Sequence, residues 1–83
     1  MAELLKIPLI LTQSPDGGYT VTSPVLPELV TEGDTVEEAV ENVRDAVKAV
    51  LEIYEDQGRT LPADLRLDPH GEAIRFECLL ASA

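Results

Sequence analysis

Residues 35–58 read TVEEAVENVRDAVKAVLEIYEDQG, and their spacing predicts one long helix. Thr35 followed by Glu38 forms a T-x-x-E capping box, a pattern typical of a helix start. Glu37 lies in the first turn, where the helix dipole favours negative charge. Gly58 stands where a glycine commonly ends a helix. The sequence therefore predicts both ends of this helix.

The side chains of the predicted helix divide into an apolar stripe and a charged face. At about 100° per residue, the apolar positions fall within an arc of about 140°. They are Val36, Ala39, Val40, Val43, Ala46, Val47, Val50, Leu51 and Tyr54. The charged residues on the opposite side are Glu37, Glu38, Glu41, Arg44, Asp45, Lys48, Glu52, Glu55 and Asp56. Because valine is a mediocre helix former, this stripe predicts that packing against a sheet stabilises the helix. Ala49 and Ile53 lie beside the stripe, where they either cover the sheet margin or contact a partner.

Alternating apolar residues before the helix predict strands. A first strand is expected from Leu4 to Thr12, weakened at Pro8, which lacks a backbone donor. The turn-forming sequence SPDGG follows at 14–18 and predicts a hairpin into a second strand at 19–23. A short third strand is expected around 29–31.

After the helix, a loop with a short extended piece at 65–67 leads to a last predicted strand at 72–80. Ile74, Phe76, Cys78 and Leu80 alternate there, so Cys78 is expected in the core. The order β-β-β-α-β predicts an α+β, two-layer fold, with one long helix on one face of an antiparallel sheet of three to four strands. Residues 1–83 are expected to form a single domain.

The small size of the chain favours self-association. With 83 residues, a monomer would bury only about 60–65% of its unfolded surface. Cys78 is the only cysteine, so a disulfide within one chain is excluded. His70 is the only histidine, so a stabilising metal cage is not expected. A homodimer or a higher homo-oligomer is therefore expected.

The formal net charge of −10 restricts the classes of partner. Phosphate binding needs clusters of Lys and Arg, so direct DNA binding is not expected. The charge favours either a basic partner or simply high solubility. The apolar stretch LLKIPLILT at 4–12 is too short to cross a membrane. A lone cysteine is typical of a reducing, cytoplasmic location.

No arrangement of residues predicts catalysis. Nucleophilic catalysis needs a nucleophile beside an oriented base. His70 is the only imidazole and lies in a DPHG turn, where it is expected to be exposed. The helix carboxylates face away from the apolar stripe, so they do not converge as a metal-dependent hydrolase requires. We therefore predict no catalytic residue, no metal and no cofactor.

Residues 18–62 resemble the N-terminal domain of HicB-like antitoxins. The motif runs from a glycine-aromatic strand through a proline-rich corner and a T-x-G-D-T turn into a helix that opens x-x-E-A. The matching residues are Gly18, Tyr19, Pro24, Leu26, Pro27, Thr31, Gly33, Asp34, Thr35, Glu38, Ala39, Gly58 and Pro62. Two corner positions depart from the pattern: Val25 stands where the family often has aspartate, and Glu28 where it often has glycine.

The resemblance implies a partial RNase H-like fold, and it does not imply nuclease activity. It also implies that the chain binds and neutralises a small, basic, RNA-cleaving toxin of the HicA type. Many relatives carry a C-terminal DNA-binding domain, and none is expected here, because the last predicted strand ends at residue 80.

The surface expected to contact a toxin or a second copy comprises Tyr19, Val25, Leu26, Glu28, Ile53 and Leu79. The alternative is a stand-alone homo-oligomeric protein of unknown function, with no toxin partner and no catalysis. Apolar residues expected on outer faces, namely Ile10, Ile53 and Leu79, favour that alternative.

Overall fold

The computed structural model describes residues 4–67, 73–80 and 82. Its elements are β1 (Ile10–Gln13), β2 (Tyr19–Thr22), β3 (Val30–Gly33), α1 (Val36–Asp56) and a 3₁₀ turn (Ala63–Leu65). The strands form an antiparallel sheet in the order β1-β2-β3, and α1 packs on one face. The α+β class and the β-β-β-α order are thereby confirmed.

The pairing of the strands separates the two faces of the sheet. Leu11, Val21 and Thr31 lie opposite one another and point toward α1, with Val21 buried in the core. The neighbouring row of Ile10, Thr22 and Val30 points away from the helix. Ile10 and Val30 are exposed, so no described residue covers these two apolar side chains on the outer face of the sheet.

The hairpin between β1 and β2 forms as predicted. The Ser14 amide donates to the Gly18 carbonyl at 2.9 Å, and the Gly17 amide donates to the Ser14 carbonyl at 3.1 Å. Gly17 and Gly18 have φ angles of 95° and 81°, in a region that favours glycine.

Both predicted ends of α1 are confirmed. Thr35 Oγ1 accepts a hydrogen bond from the Glu38 amide at 3.1 Å, which caps the helix start. At the other end Gly58 has φ 64°, and its amide donates to the Glu55 carbonyl at 3.1 Å. The Arg59 amide donates to the Tyr54 carbonyl at 2.8 Å. This pair of bonds is a Schellman motif.

The core lies between α1, the inner sheet face and the loop before β3. Its buried side chains are Val21, Leu26, Leu29, Ala39, Val50, Tyr54 and Leu65. The predicted stripe supplies the helix members, whereas every charged residue of α1 is exposed. At the start of α1, Asn42 Nδ2 donates to the Glu32 carbonyl at 2.8 Å, which ties the helix to β3.

The first strand is shorter than predicted. Of the expected span 4–12, only residues 10–12 pair with β2, and β1 extends one residue further, to Gln13. Leu5 instead forms an antiparallel bridge with Arg66. The expected extended piece at 65–67 is therefore present only at Arg66, because Leu65 ends the 3₁₀ turn. Pro8 lies between these two pairings, and its missing donor and fixed φ explain the break.

The predicted last strand is not formed by its described part. Residues 73–80 have no strand pairing, and all their side chains are exposed. Cys78 is exposed, so the prediction that it lies in the core is wrong. An alternating pattern predicts which side chains would share a face of a strand, but a strand also needs a neighbouring strand for its backbone hydrogen bonds. His70 and the start of this predicted strand lie outside the described residues.

Candidate partner-binding surface

The loop from β2 to β3 forms a proline-rich corner held by its own backbone. Ser23 Oγ accepts hydrogen bonds from the amides of Val25 and Leu26, each at 3.3 Å. The Leu29 amide then donates to the Leu26 carbonyl at 3.0 Å, closing a turn with Pro27 at its first central position. These bonds direct the Leu26 and Leu29 side chains into the core.

Glu28 links this corner to the end of α1. Its Oε2 lies 2.7 Å from Arg59 Nη1, and its Oε1 accepts a hydrogen bond from the Tyr54 hydroxyl at 3.1 Å. The Arg59 guanidinium also stacks over the Tyr54 ring, 4.1 Å from its centre. We call Glu28, Tyr54 and Arg59 the corner latch.

The latch perturbs the proton affinity of its three members. The hydrogen bond from Arg59 lowers the pKa of Glu28 below its ordinary value of 4.5. Burial of Tyr54 raises the pKa of its hydroxyl, and the bond to Glu28 adds to this. The bond to Glu28 also raises the pKa of Arg59.

Removal of the Glu28 charge is expected to weaken the dependence of stability on acid pH. Because the folded chain lowers the pKa of Glu28, its stabilisation is present above the unfolded pKa and is lost as the pH falls through the folded pKa. The melting temperature of Glu28→Gln should therefore fall less than that of the unmodified chain between pH 7 and pH 3. Thermal unfolding at both pH values measures this, with Glu41→Gln on the exposed helix face as the control. Equal falls for Glu28→Gln and the unmodified chain would contradict a role for the latch.

Sequence reasoning missed Arg59 as a member of this surface. Arg59 and Glu28 are 31 residues apart, so no local pattern pairs them. One signal was available: Arg59 is one of only six basic residues, and it follows the glycine that ends α1. Arg59 binds Glu28, which is one of the two residues at which the chain departs from the family pattern.

The outer side of α1 is strongly acidic. Its carboxylates, which we call the acidic face, are Glu37, Glu38, Glu41, Asp45, Glu52, Glu55 and Asp56. All are exposed, and only Arg44 and Lys48 carry positive charge on this helix. Such a surface attracts a basic partner over several ångströms.

An apolar groove of about 760 Å³ opens on the other side of the helix. Its walls, which define the open groove, are Lys6, Ile7, Pro8, Leu9, Leu11, Val21, Val40, Val43, Arg75, Phe76, Glu77 and Leu79. Leu9 and Val40 are exposed along it. The described part of the predicted last strand thus borders this groove without filling it.

A second, polar cleft of about 350 Å³ lies near the start of α1. Tyr19 lines it beside the hairpin glycines, together with Glu38 and Asn42. Among the described residues, no group of His, Cys, Asp and Glu could hold a metal ion.

The structure does not gather the six residues of the predicted contact surface into one patch. Val25 and Glu28 lie in the corner, and Ile53 is exposed next to the latch residue Tyr54. Tyr19 lines the polar cleft near the opposite end of the helix. Leu79 borders the open groove. Leu26 is fully buried, with 0% of its surface exposed, so it is a core residue in this chain.

No helix in the described part of the chain has the length and apolarity to cross a membrane.

Comparisons with known proteins agree with the resemblance inferred from the sequence. Antitoxin HicB of Escherichia coli is 33% identical over 78 residues, which are 94% of this chain and 56% of that protein. Antitoxin HicB 1 of Photorhabdus laumondii is 38% identical over 58 residues, or 70% of this chain and 37% of that protein. A UPF0150 protein of Thermoplasma acidophilum is 35% identical over 60 residues, or 72% of this chain and 87% of that protein.

The chain thus spans about half the length of the E. coli antitoxin that it resembles. The sequence profile of the HicB-like antitoxins of bacterial toxin-antitoxin systems matches residues 7–80, which include the three strands, the corner and α1. The chain belongs to the family of HicB-like antitoxins.

Proposed function

We propose that the chain acts in the cytoplasm as a non-catalytic antitoxin, which binds and neutralises a small, basic, RNA-cleaving toxin of the HicA type. The family match over residues 7–80 carries this proposal. The net charge of −10 supports it, because an acidic protein is complementary to a basic toxin. The latch supports it further by fixing the end of α1 against the corner, so that the acidic face is presented on a well-anchored helix.

The acidic face is the surface that we assign to the first encounter with the toxin. Its carboxylates extend over the full length of the 21-residue helix. Charges on a rim or an outer face chiefly speed association, because they steer the partner during diffusion. The corner, with Val25 and Glu28 partly exposed, lies at one end of that helix.

Co-expression provides the direct test of the function. A small basic protein encoded beside this chain should arrest growth when expressed alone, and this chain should restore growth and co-purify with the toxin. Failure to restore growth, together with no co-purification of the two folded proteins, would overturn the proposal.

Reversal of two charges on the acidic face is expected to slow association about tenfold at low ionic strength. Glu41 and Glu52 are eleven residues apart, so they point in nearly the same direction from α1. The Glu41→Lys/Glu52→Lys variant should lose on-rate toward the toxin, and added salt should shrink the difference. Stopped-flow or biosensor association rates measure this effect.

Asp16→Lys/Asp64→Lys is the matched control, because it changes the net charge equally at exposed sites away from α1. An equal slowing by both variants would show that net charge, and not the acidic face, guides the toxin.

A further inference from the structure

One edge of the sheet has no strand beside it among the described residues. The strand order is β1-β2-β3, so β3 lies at this edge, and Val30 is 62% exposed there. A strand edge offers unpaired backbone amides and carbonyls, with which another chain can form hydrogen bonds. The edge of β3 is therefore a surface that can accept an added strand.

The hairpin fixes which backbone groups of β3 point outward. Because the Ser14 amide donates to the Gly18 carbonyl, the hydrogen-bonded pairs of β1 and β2 fall at every second residue counted from this pair. The second and fourth residues of β2 thus bond to β1, and its first and third residues bond to β3. Val30 and Glu32 lie opposite the second and fourth residues, so their backbone groups point away from β2.

One of these outward groups already has a partner, and the others do not. The Glu32 carbonyl accepts the bond from Asn42 Nδ2 at 2.8 Å, which agrees with its outward direction. The amide and carbonyl of Val30 and the amide of Glu32 have no hydrogen-bond partner among the described residues. An added strand can therefore pair with Val30 through both of its backbone groups.

The helix α1 forms a wall beside this edge. It runs back along β3, because Asn42 contacts β3 near one end and Tyr54 contacts the corner near the other. Ala49 and Ile53 follow Asn42 by seven and eleven residues, so all three lie on the same side of the helix. Ala49 is exposed, and Ile53 is 40% exposed. We call Val30, Glu32, Ala49 and Ile53 the edge surface.

The charges around the edge surface favour a basic occupant. The carboxylates of the helix nearest to it are Glu38, Asp45 and Asp56. Arg44 and Lys48 point about 120° or more away from Asn42 around the helix. On the strand, Glu32 is exposed. An extended segment that places Lys or Arg opposite Glu32 and apolar side chains against Ile53 matches this surface.

We propose that the toxin docks by adding an extended, basic segment to the free edge of β3 as a further strand of the sheet. This inference rests on the antitoxin function proposed above, and it names the site and the chemistry of the partner segment. The backbone of that segment bonds to Val30, a Lys or Arg faces Glu32, and apolar side chains contact Ala49 and Ile53. The acidic face guides the encounter, and the edge surface holds the bound toxin.

Proline at position 30 tests the backbone pairing. Val30→Pro removes an amide that points outward, so the bonds between β2 and β3 are kept, and edge strands tolerate proline. The variant should bind the toxin, the small basic protein encoded beside this chain, about tenfold more weakly, because one bond is lost and a carbonyl of the toxin is left unpaired. Val30→Thr keeps the amide and the β-branched shape, so this control should bind within about twofold of the unmodified chain. Isothermal titration calorimetry measures each dissociation constant.

The outcomes of this experiment separate the docking site from the antitoxin function. Equal dissociation constants for Val30→Pro and the unmodified chain would overturn the added strand and leave the function standing. A loss in Val30→Thr as large as that in Val30→Pro would also overturn it, because side-chain packing would then explain both. An unmodified chain that neither binds the toxin nor restores growth would overturn the function and this inference together.

A pair of arginine substitutions tests the helix wall. Ile53 and Val40 are exposed to nearly the same extent, 40% and 39%, but Val40 borders the open groove on the other side of α1. Ile53→Arg places a cation against the basic segment and should weaken toxin binding about tenfold. Val40→Arg changes the net charge equally and should weaken binding by less than about threefold. Equal losses in the two variants would contradict docking at the edge surface.

Amide hydrogen exchange followed by NMR tests the added strand without any substitution, so it decides the matter if Val30→Pro does not fold. Saturating toxin should slow exchange of the Val30 and Glu32 amides about tenfold or more. The Leu11 amide is the internal control, because the same alternation directs it outward at the opposite edge, where exchange should not change. Unchanged exchange at Val30 would overturn the proposal. Slowing that grows with the concentration of this chain alone would assign the edge to a second copy and would equally overturn it.

Discussion

The Gly33→Ala variant is expected to lose about 3 kcal/mol or more of its free energy of unfolding. This total is at or above the upper end of the usual cost of overpacking a core. A methyl group on Gly33 would lie 2.4 Å from the amide nitrogen of Ala39 and 2.8 Å from its Cα. These are backbone atoms of the first turns of α1, and they cannot rotate away as the end of a side chain can. Either β3 or the helix start must move, which would also strain the bond from Asn42 to the Glu32 carbonyl. Urea unfolding followed by circular dichroism measures the loss.

Gly58→Ala is the matched control for this prediction. Gly58 has φ 64°, which costs an alanine about 1–2 kcal/mol. No atom, however, lies within 4 Å of the added methyl. If Gly33→Ala proved no more destabilising than Gly58→Ala, that result would contradict the close packing of Gly33 against the start of α1.

The Leu26→Ala variant is expected to lower the free energy of unfolding by about 2–5 kcal/mol. The Leu26 side chain is fully buried, and the bonds from Ser23 fix the backbone that carries it. Because these bonds limit how far the corner can collapse, truncation should leave a cavity in the core. Loss of stability of this size is a large part of the total for a chain of 83 residues.

Leu80→Ala makes the same chemical change at an exposed site and serves as the control. With 83% of its surface exposed, Leu80 should contribute less than about 0.5 kcal/mol to the stability of the monomer. Both variants are compared in urea at a protein concentration that keeps the chain monomeric. If Leu26→Ala and Leu80→Ala lowered the free energy of unfolding equally, Leu26 would not be a core residue, and its predicted place on the contact surface would stand.

The sequence predicts α1 well because its signals are local. The cap at Thr35, the glycine at 58 and the apolar stripe all act within a few turns, and the structure confirms each of them. The hairpin at 14–18 is predicted for the same reason, since its two glycines adopt the φ angles that the turn requires.

Strand pairing is predicted less well because it depends on distant neighbours. The alternation at 4–12 suggests one continuous strand, but Arg66 pairs with Leu5 and β2 pairs only from Ile10 onward. The alternation at 73–80 is equally clear, yet these residues form no strand pairing with the described part of the chain. Periodicity states which side chains share a face and does not state which strand lies alongside.

The candidate surface is the part that sequence reasoning predicts least well. The latch joins Glu28 to Tyr54 and Arg59, which follow it by 26 and 31 residues, with β3 and most of α1 between them in the sequence. Leu26 matches the family motif and is one of the residues predicted for the contact surface, but its side chain fills the core. A motif match identifies a position that matters without separating packing from binding.

The corner latch also changes how the chain opens locally. The last turn of a helix usually frays by itself, because its final carbonyls lack partners within the helix. Here Tyr54 and Arg59 are both held by Glu28, which belongs to the loop ahead of β3. The end of α1 cannot fray without also releasing that loop. The two segments therefore act as one cooperative unit, although β3 and most of α1 lie between them in the sequence.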